Sequence, residues 1–164
     1  RQQGLDTAIV RIFNTYGPRM RPRDGRAIPT FLRQALQDRP ITVFGDGMQS
    51  RDFTYVDDIA AGTVAGLSVK GFHIINLGGN HPYTLQELIG LIEQELGMKA
   101  RIQFGDFHRT DIKATWADIS RARKLLNWEP KVSLAEGIRR TVAWHRQNAS
   151  WLREIRLEEQ GDAR

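Results

Sequence analysis

At 164 residues, with 40% hydrophobic and 26% charged positions, the chain has the make-up of one globular domain with its own core, too short for a second complete one. It has no cysteine, which excludes disulfides, thiolate metal sites and a cysteine nucleophile and suits a reducing, cytoplasmic setting; no apolar run nears the roughly 20 residues of a membrane span. A net charge of +5, with Arg19, Arg21, Arg23 and Arg26 in one segment rich in Pro and Gly, raises nucleic-acid binding, but no nucleic-acid motif accompanies the cluster.

Thr7 to Phe13 is a nearly continuous apolar run of β-branched type between Gly4 and Gly17-Pro18, the pattern of a strand buried on both faces of a parallel sheet. Ligands of such sheets bind outside the carboxyl ends of the strands. Asn14, Tyr16 and Arg19 follow at that end and can offer an amide, a phenol and a guanidinium to an anionic or polyhydroxylated ligand. Arg11, inside the strand, is expected to be a buried structural cation.

Asp24-Gly25 marks a turn, and Ile28-Pro29 opens a helix with Pro at its first position and Ile28, Phe31, Leu32, Ala35 and Leu36 on its apolar stripe; Pro40 stops it. Ile41 to Phe44 and Arg51 to Val56 read as strands around the Gly45-Asp46-Gly47 turn. Asp57 or Asp58 is expected to cap a helix reaching about Leu67. After a strand at Phe72 to Leu77, Thr84-Leu85-Gln86-Glu87 has the capping-box form and opens a helix closed by Gly97. A short strand at Arg101 to Phe104 and a polar loop follow. Asp118 then caps a helix with Leu125, Leu126 and Trp128 buried, and Ser133 to Glu136 forms a second capping box before a helix facing inward through Leu134, Ile138, Val142 and Trp144. The four tryptophans are read as core or interface anchors. The four histidines are scattered without ligand spacing, so no metal is expected.

The stretch R-I-F-N-T-Y-G-P-R, followed by G-R-A-I-P-T-F, V-F-G-D-G-M-Q-S-R-D-F-T-Y-V-D-D-I and T-W-A-D-I-S-R-A, resembles the C-terminal half of extended short-chain dehydrogenase/reductases acting on nucleotide sugars. The resemblance covers nearly the whole chain. The family's G-x-x-G-x-x-G turn and Y-x-x-x-K catalytic pair are not in the sequence, so the chain is expected to be a piece of a longer enzyme whose catalytic residues lie upstream. The implied fold is α/β: the last part of a Rossmann-type parallel sheet over residues 1–24, a small mixed substrate-binding lobe over 25–157, and a frayed tail over 158–164. The lone strand would then lack its sheet neighbours, and the isolated chain would associate or dissolve poorly.

The resemblance implies NAD as cofactor, with Tyr16 and Pro18 at its nicotinamide end, and a UDP- or dTDP-sugar as substrate. Asn14, Arg19, Phe44, Arg51 and Arg109 would contact that substrate: Arg51 and Arg109 the diphosphate, Phe44 the base, Asn14 a phosphate or the sugar. No residue here is assigned to catalysis. The R-D-F-T-Y-V-D-D and A-T-W-A-D-I-S-R-A segments favour a sugar or uronate 4-epimerase over a UDP-glucuronate decarboxylase or a dTDP-glucose 4,6-dehydratase. The full-length protein is expected to be a homodimer through the other half, without nucleic-acid or membrane partners. A stand-alone nucleotide-binding or anion-binding module is the competing class.

Overall fold

The computed structural model describes residues 4–21, 24–107 and 112–154. Strand β1 (Thr7–Ile12) leads to the two-residue β2 (Thr15–Tyr16), helix α1 (Ala27–Leu36), β3 (Ile41–Phe44), β4 (Ser50–Asp52) and β5 (Thr54–Tyr55). Helix α2 (Val56–Ala65) follows, then β6 (Phe72–Leu77), β7 (Pro82–Thr84), α3 (Leu85–Leu96) and β8 (Ile102–Gly105). Three helices complete the described chain: α4 (Ser120–Leu126), α5 (Leu134–Gln147) and α6 (Ala149–Glu154). The residues after 154, including the expected frayed tail, lie outside the described residues.

The strands form parallel pairs β1–β6, β2–β5 and β3–β8 and one antiparallel pair, β4–β7. β1 therefore has a neighbour. It runs in register with β6 from Thr7–Phe72 to Ile12–Leu77, and β6, which by chain position falls in the expected lobe, returns to it after α2. This corrects the expectation of a lone strand. It also corrects the two-sided burial, because Val10, Ile75 and Leu77 pack against Ile59, Ala122 and Trp128 while Ile9 and Ile74 on the other face are 44% and 38% exposed. Arg11, on that open face, is exposed rather than a buried cation.

A second, larger core joins α1, α3 and α5 to β3 and β5 through Phe31, Leu32, Ile41, Leu88, Ile92 and Ile138. The helix α1 begins two residues before Pro29, which thus occupies its third position. That is tolerated because the first four N–H groups of a helix lack intrahelical partners, and Thr30 makes the first bond, to the Arg26 carbonyl. Leu36, on the last turn, is exposed. The expected strand from Arg51 to Val56 is two strands, because the chain changes partner at Phe53, from β7 to β2.

Neither Asp57 nor Asp58 caps α2; Tyr55 holds the cap position, with no side-chain cap bond. The Asp58 carboxylate instead accepts the N–H groups of Lys131 and Val132 at 3.1 and 2.9 Å, and its carbonyl accepts Trp128 Nε1 at 2.9 Å. At α4 the cap position belongs to Ile119, and Asp118 accepts the Ser120 N–H from one residue farther out. Leu125 is on the exposed side, and Trp116 is 65% exposed. The second capping box is half made: Ser133 accepts the Glu136 N–H, but the Glu136 carboxylate turns to Arg139 and Arg140, charged donors that bind it more strongly than a neutral N–H would.

The box at Thr84 is complete. Thr84 Oγ1 accepts the Glu87 N–H at 3.1 Å, and the Thr84 N–H donates to Glu87 Oε2 at 2.7 Å, which with the Thr84 hydroxyl holds that carboxyl below its ordinary range. Thr84→Ala is expected to lower stability by about 1 kcal/mol in urea denaturation. A carboxyl whose folded pKa is depressed stabilises above its unfolded pKa and loses that contribution as pH falls through the folded value, so Glu87→Gln should flatten the loss of stability between about pH 5 and pH 3. An unchanged pH profile would remove Glu87 from the cap.

Candidate functional site

Four of the residues expected to bind ligand line one cavity of about 260 Å³: Asn14, Tyr16, Phe44 and Arg51. They come together because β1 delivers Asn14, β2 delivers Tyr16, β3 ends at Phe44, and β4 carries Arg51 opposite Tyr83 of β7. The first turn of α1 closes the cavity from the other side with Ala27, Ile28, Pro29 and Thr30.

Asn14 is held twice. Its carbonyl accepts the Thr54 N–H at 3.3 Å, and its Nδ2 donates to Thr115 Oγ1 at 3.1 Å. Tyr16 is 2% exposed, with its ring edge-on to Phe53 and Tyr55 at 6.4 and 5.8 Å and its hydroxyl donated to the Leu134 carbonyl at 3.3 Å. Burial pushes that phenol well above its ordinary range, so it stays neutral and forms a wall of the cavity. Phe44 is 55% exposed, and its ring lies across Gly105, where a methyl group would sit 3.2 Å from Phe44 Cδ1. Arg51 is half-buried, with one guanidinium nitrogen on the Ser50 carbonyl at 2.9 Å.

Of the other expected residues, Pro18 is half-buried and Arg19 exposed with φ of 66°, and neither lines the cavity; Arg109 lies outside the described residues. Among the wall residues not expected from the sequence, Arg26 and Gln49 carry polar groups with defined partners. Arg26 precedes α1, donates to the Thr15 carbonyl at 3.1 Å and forks onto Asp24, whose carboxyl it holds below the usual range. The Asp24-Gly25-Arg26 turn just before a helix start was the available signal, obscured because Arg26 is one of four arginines in that segment. Gln49 is buried, donates Nε2 to the Phe44 carbonyl at 2.6 Å, and leaves Oε1 without a hydrogen-bond partner among the described residues. It stands in the same motif as Phe44 and Arg51, but nothing in its residue type marks it as a wall residue.

Just behind Arg51 lies Asp52, 0% exposed, whose carboxylate accepts the N–H groups of Gly79, Ala117 and Asn80 at 2.5, 2.8 and 3.2 Å. Desolvation raises its pKa, and these three donors oppose the rise. Among the described residues the cavity lining holds two guanidinium groups, amides, hydroxyls and aromatic rings but no carboxylate, lysine or histidine. It is equipped to bind and orient an anionic, partly planar ligand. Among the described residues no group of three or more His, Asp or Glu could hold a metal ion, and no helix is long and apolar enough to cross a membrane.

Parallel strand pairs packed against helices, with a cavity at the end of β1, make this an α/β protein of the Rossmann type. The model of the NAD dependent epimerase/dehydratase family matches residues 1–78 of the chain. The chain is 47% identical over 155 residues to the UDP-glucuronate 4-epimerase of Thermodesulfobacterium geofontis, covering 94% of this chain and 47% of that protein. It is 41% identical over 143 residues to UDP-glucuronic acid decarboxylase 1 of Arabidopsis thaliana, covering 87% of this chain and 33% of the relative. The chain thus spans half or less of the length of these curated relatives. Among solved structures, the UDP-glucuronic acid 4-epimerase of Bacillus cereus in complex with UDP-glucuronic acid and NAD superposes with a TM-score of 0.79 at 40% identity, over 85% of this chain and 45% of that one. The UDP-glucose 4-epimerase of Thermotoga maritima with UDP-glucose gives 0.85 at 29% identity, over 89% and 48%.

The Tyr16 wall depends on Gly137 of α5, where a methyl group would overlap the Tyr16 hydroxyl and lie 2.7 Å from its ring carbon. Alanine normally favours a helix interior over glycine by about 0.5–1 kcal/mol, but overpacking a buried site costs about 1–3 kcal/mol. Gly137→Ala is therefore expected to destabilise the protein by about 1 kcal/mol in thermal or urea unfolding; a stabilised variant would show that Tyr16 is free to move.

Proposed function

We propose that the chain supplies the nucleotide-sugar-binding part of an NAD-dependent epimerase acting at C4 of a UDP-sugar, with UDP-glucuronate as the favoured substrate. The single observation that carries the proposal is the convergence of Asn14, Phe44 and Arg51 on one cavity. Its volume of about 260 Å³ lies just under the roughly 300–1,000 Å³ of typical ligand sites, which suits the nucleotide end with the sugar reaching past Asn14. Arg51 supplies a planar fork for two diphosphate oxygens, the exposed Phe44 ring a flat face for the base, and Asn14 an amide for a phosphate or the sugar. Arg19 and Arg109 are further guanidinium groups for the diphosphate. The favoured substrate draws support from the relatives above, which include enzymes of UDP-glucuronate with either epimerase or decarboxylase names.

Residues 1–24, joined in space by β6, belong in this proposal to the cofactor side, and the rest of 25–157 forms the lobe. Tyr16 and Pro18 lie on the segment leaving β1, where a dinucleotide meets a parallel sheet. With the Tyr16 hydroxyl committed to Leu134, the Pro18 ring is the group left to touch the nicotinamide end. NAD, when bound, accepts and returns the hydride at C4. The residues of this chain grip the nucleotide away from the reacting carbon and hold the sugar within reach. A homodimer of the complete protein belongs to the same proposal.

Incubating the complete gene product with UDP-glucuronate and NAD should yield UDP-galacturonate, separable by chromatography, without release of carbon dioxide. A UDP-pentose with carbon dioxide would make the enzyme a decarboxylase. Saturable UDP-sugar binding without conversion would leave a binding module, and salt-sensitive affinity for nucleic acid with no UDP-sugar binding would sink both. Arg51→Ala should raise KM about thirtyfold, the equivalent of about 2 kcal/mol for a lost charge-assisted contact; an unchanged KM would remove Arg51 from the site.

A further inference from the structure

We propose that Thr115 is a positioning residue of the nucleotide-sugar site, acting through the Asn14 amide and held in place by Asp52. This rests on Asn14 being a ligand contact, as argued above.

Thr115 Oγ1 receives two donors, Asn14 Nδ2 at 3.1 Å and the Asp52 N–H at 3.3 Å, which together fill the acceptor capacity of a hydroxyl. The final torsion of an asparagine side chain is broad and roughly two-fold, so an unanchored amide can present either its oxygen or its nitrogen to a ligand. In this structure the amide is held in one of those orientations, with Nδ2 on Thr115 Oγ1. With Nδ2 turned toward Thr115, the opposite edge of the amide carries Oδ1, and the cavity meets one orientation of Asn14.

Thr115 can do this only if its own segment is fixed, and residues 112–118 have no helix or strand to fix them. The segment is instead pinned on both sides of Thr115. Before it, the Ser50 N–H donates to the Lys113 carbonyl at 2.9 Å, and the Thr115 N–H returns a bond to the Ser50 carbonyl at 3.1 Å. After it, the Ala117 N–H donates to the buried Asp52 carboxylate, which also binds Gly79 and Asn80 in the loop leaving β6. These strands and loops meet at a spacing that only glycine allows: a methyl group at Gly78 would overlap Ala117 Cβ, and one at Gly79 would lie 2.5 Å from Asp52 Oδ1. Arg51 is the residue between the two pins, so the carboxylate that steadies Thr115 also steadies the strand carrying the proposed diphosphate contact.

If Thr115 merely filled space, its effect on binding would be independent of Asn14. The two roles separate in a double-mutant cycle read by calorimetric titration of UDP-glucuronate into the complete gene product. Asn14→Ala and Thr115→Val should each weaken binding about tenfold, and the double variant should bind no more weakly than Asn14→Ala alone. Thr115→Ser, which keeps the hydroxyl, should bind within about twofold of the unsubstituted protein. Multiplicative losses in the double variant, or a Thr115→Ser variant as weak as Thr115→Val, would overturn the proposal while leaving Asn14 in the site. An Asn14→Ala variant that binds normally would overturn the role of Asn14 itself, and this proposal with it. Should Thr115→Val fail to fold, Thr115→Ala takes its place in the same cycle: non-multiplicative losses support the proposal and multiplicative losses overturn it.

Discussion

A carboxylate sealed from water is costly unless donors surround it, and the Asp52 side chain is met by three main-chain N–H groups from two separate loops. That requirement dictates much of the geometry around the cavity. The loop after β6 has to present Gly79 and Asn80 with their N–H groups inward, and the 112–118 segment has to bring Ala117 to the same point. The donors do not cancel the cost of burial, since the carboxyl is still shifted upward, which is why removing any one of them would be felt.

The same residue lies next to the point where the backbone changes allegiance. β4 pairs with β7, and two residues later β5 pairs with β2, so one short stretch belongs to two sheets. Asp58 performs a similar service between the two hydrophobic cores: it sits in the first turn of α2, near Ile59 of the smaller core, and its carboxylate and carbonyl hold the connection from Trp128 to Val132. Two buried aspartates thus tie elements that hydrophobic packing alone would leave free to slide, because apolar contact is non-directional whereas an N–H aimed at a carboxylate is not.

Much of this was legible in the sequence where the signal is local. The capping box at Thr84, the glycine stop at Gly97 with φ of 71°, and the apolar stripes of α1, α3 and α5 follow from residue type and spacing. What failed depends on partners distant along the chain. Asp57 and Asp58 read as caps because they stand where caps stand; that Asp58 would be drawn away by Lys131 and Val132 is a tertiary fact. Arg11 read as buried because its neighbours are apolar, yet only one face of β1 is covered among the described residues. At the candidate site, Asn14, Phe44 and Arg51 could be named from motifs. Gln49, Asp52 and Thr115 stand in the same motifs, but what distinguishes them there is depth and contact, which residue type does not give.

The Phe44 ring lies over Gly105, the partner in β3–β8 pairing, and is backed by bare main chain. A flexible aromatic at a binding surface has to be ordered when a ligand arrives, and that loss of freedom subtracts from affinity. Here the missing side chain at position 105 lets the ring lie down before any ligand is present. The lie of that wall is therefore set in part at residue 105: a side chain there would press on Phe44, the ring proposed to stack on the base, although residue 105 does not itself line the cavity.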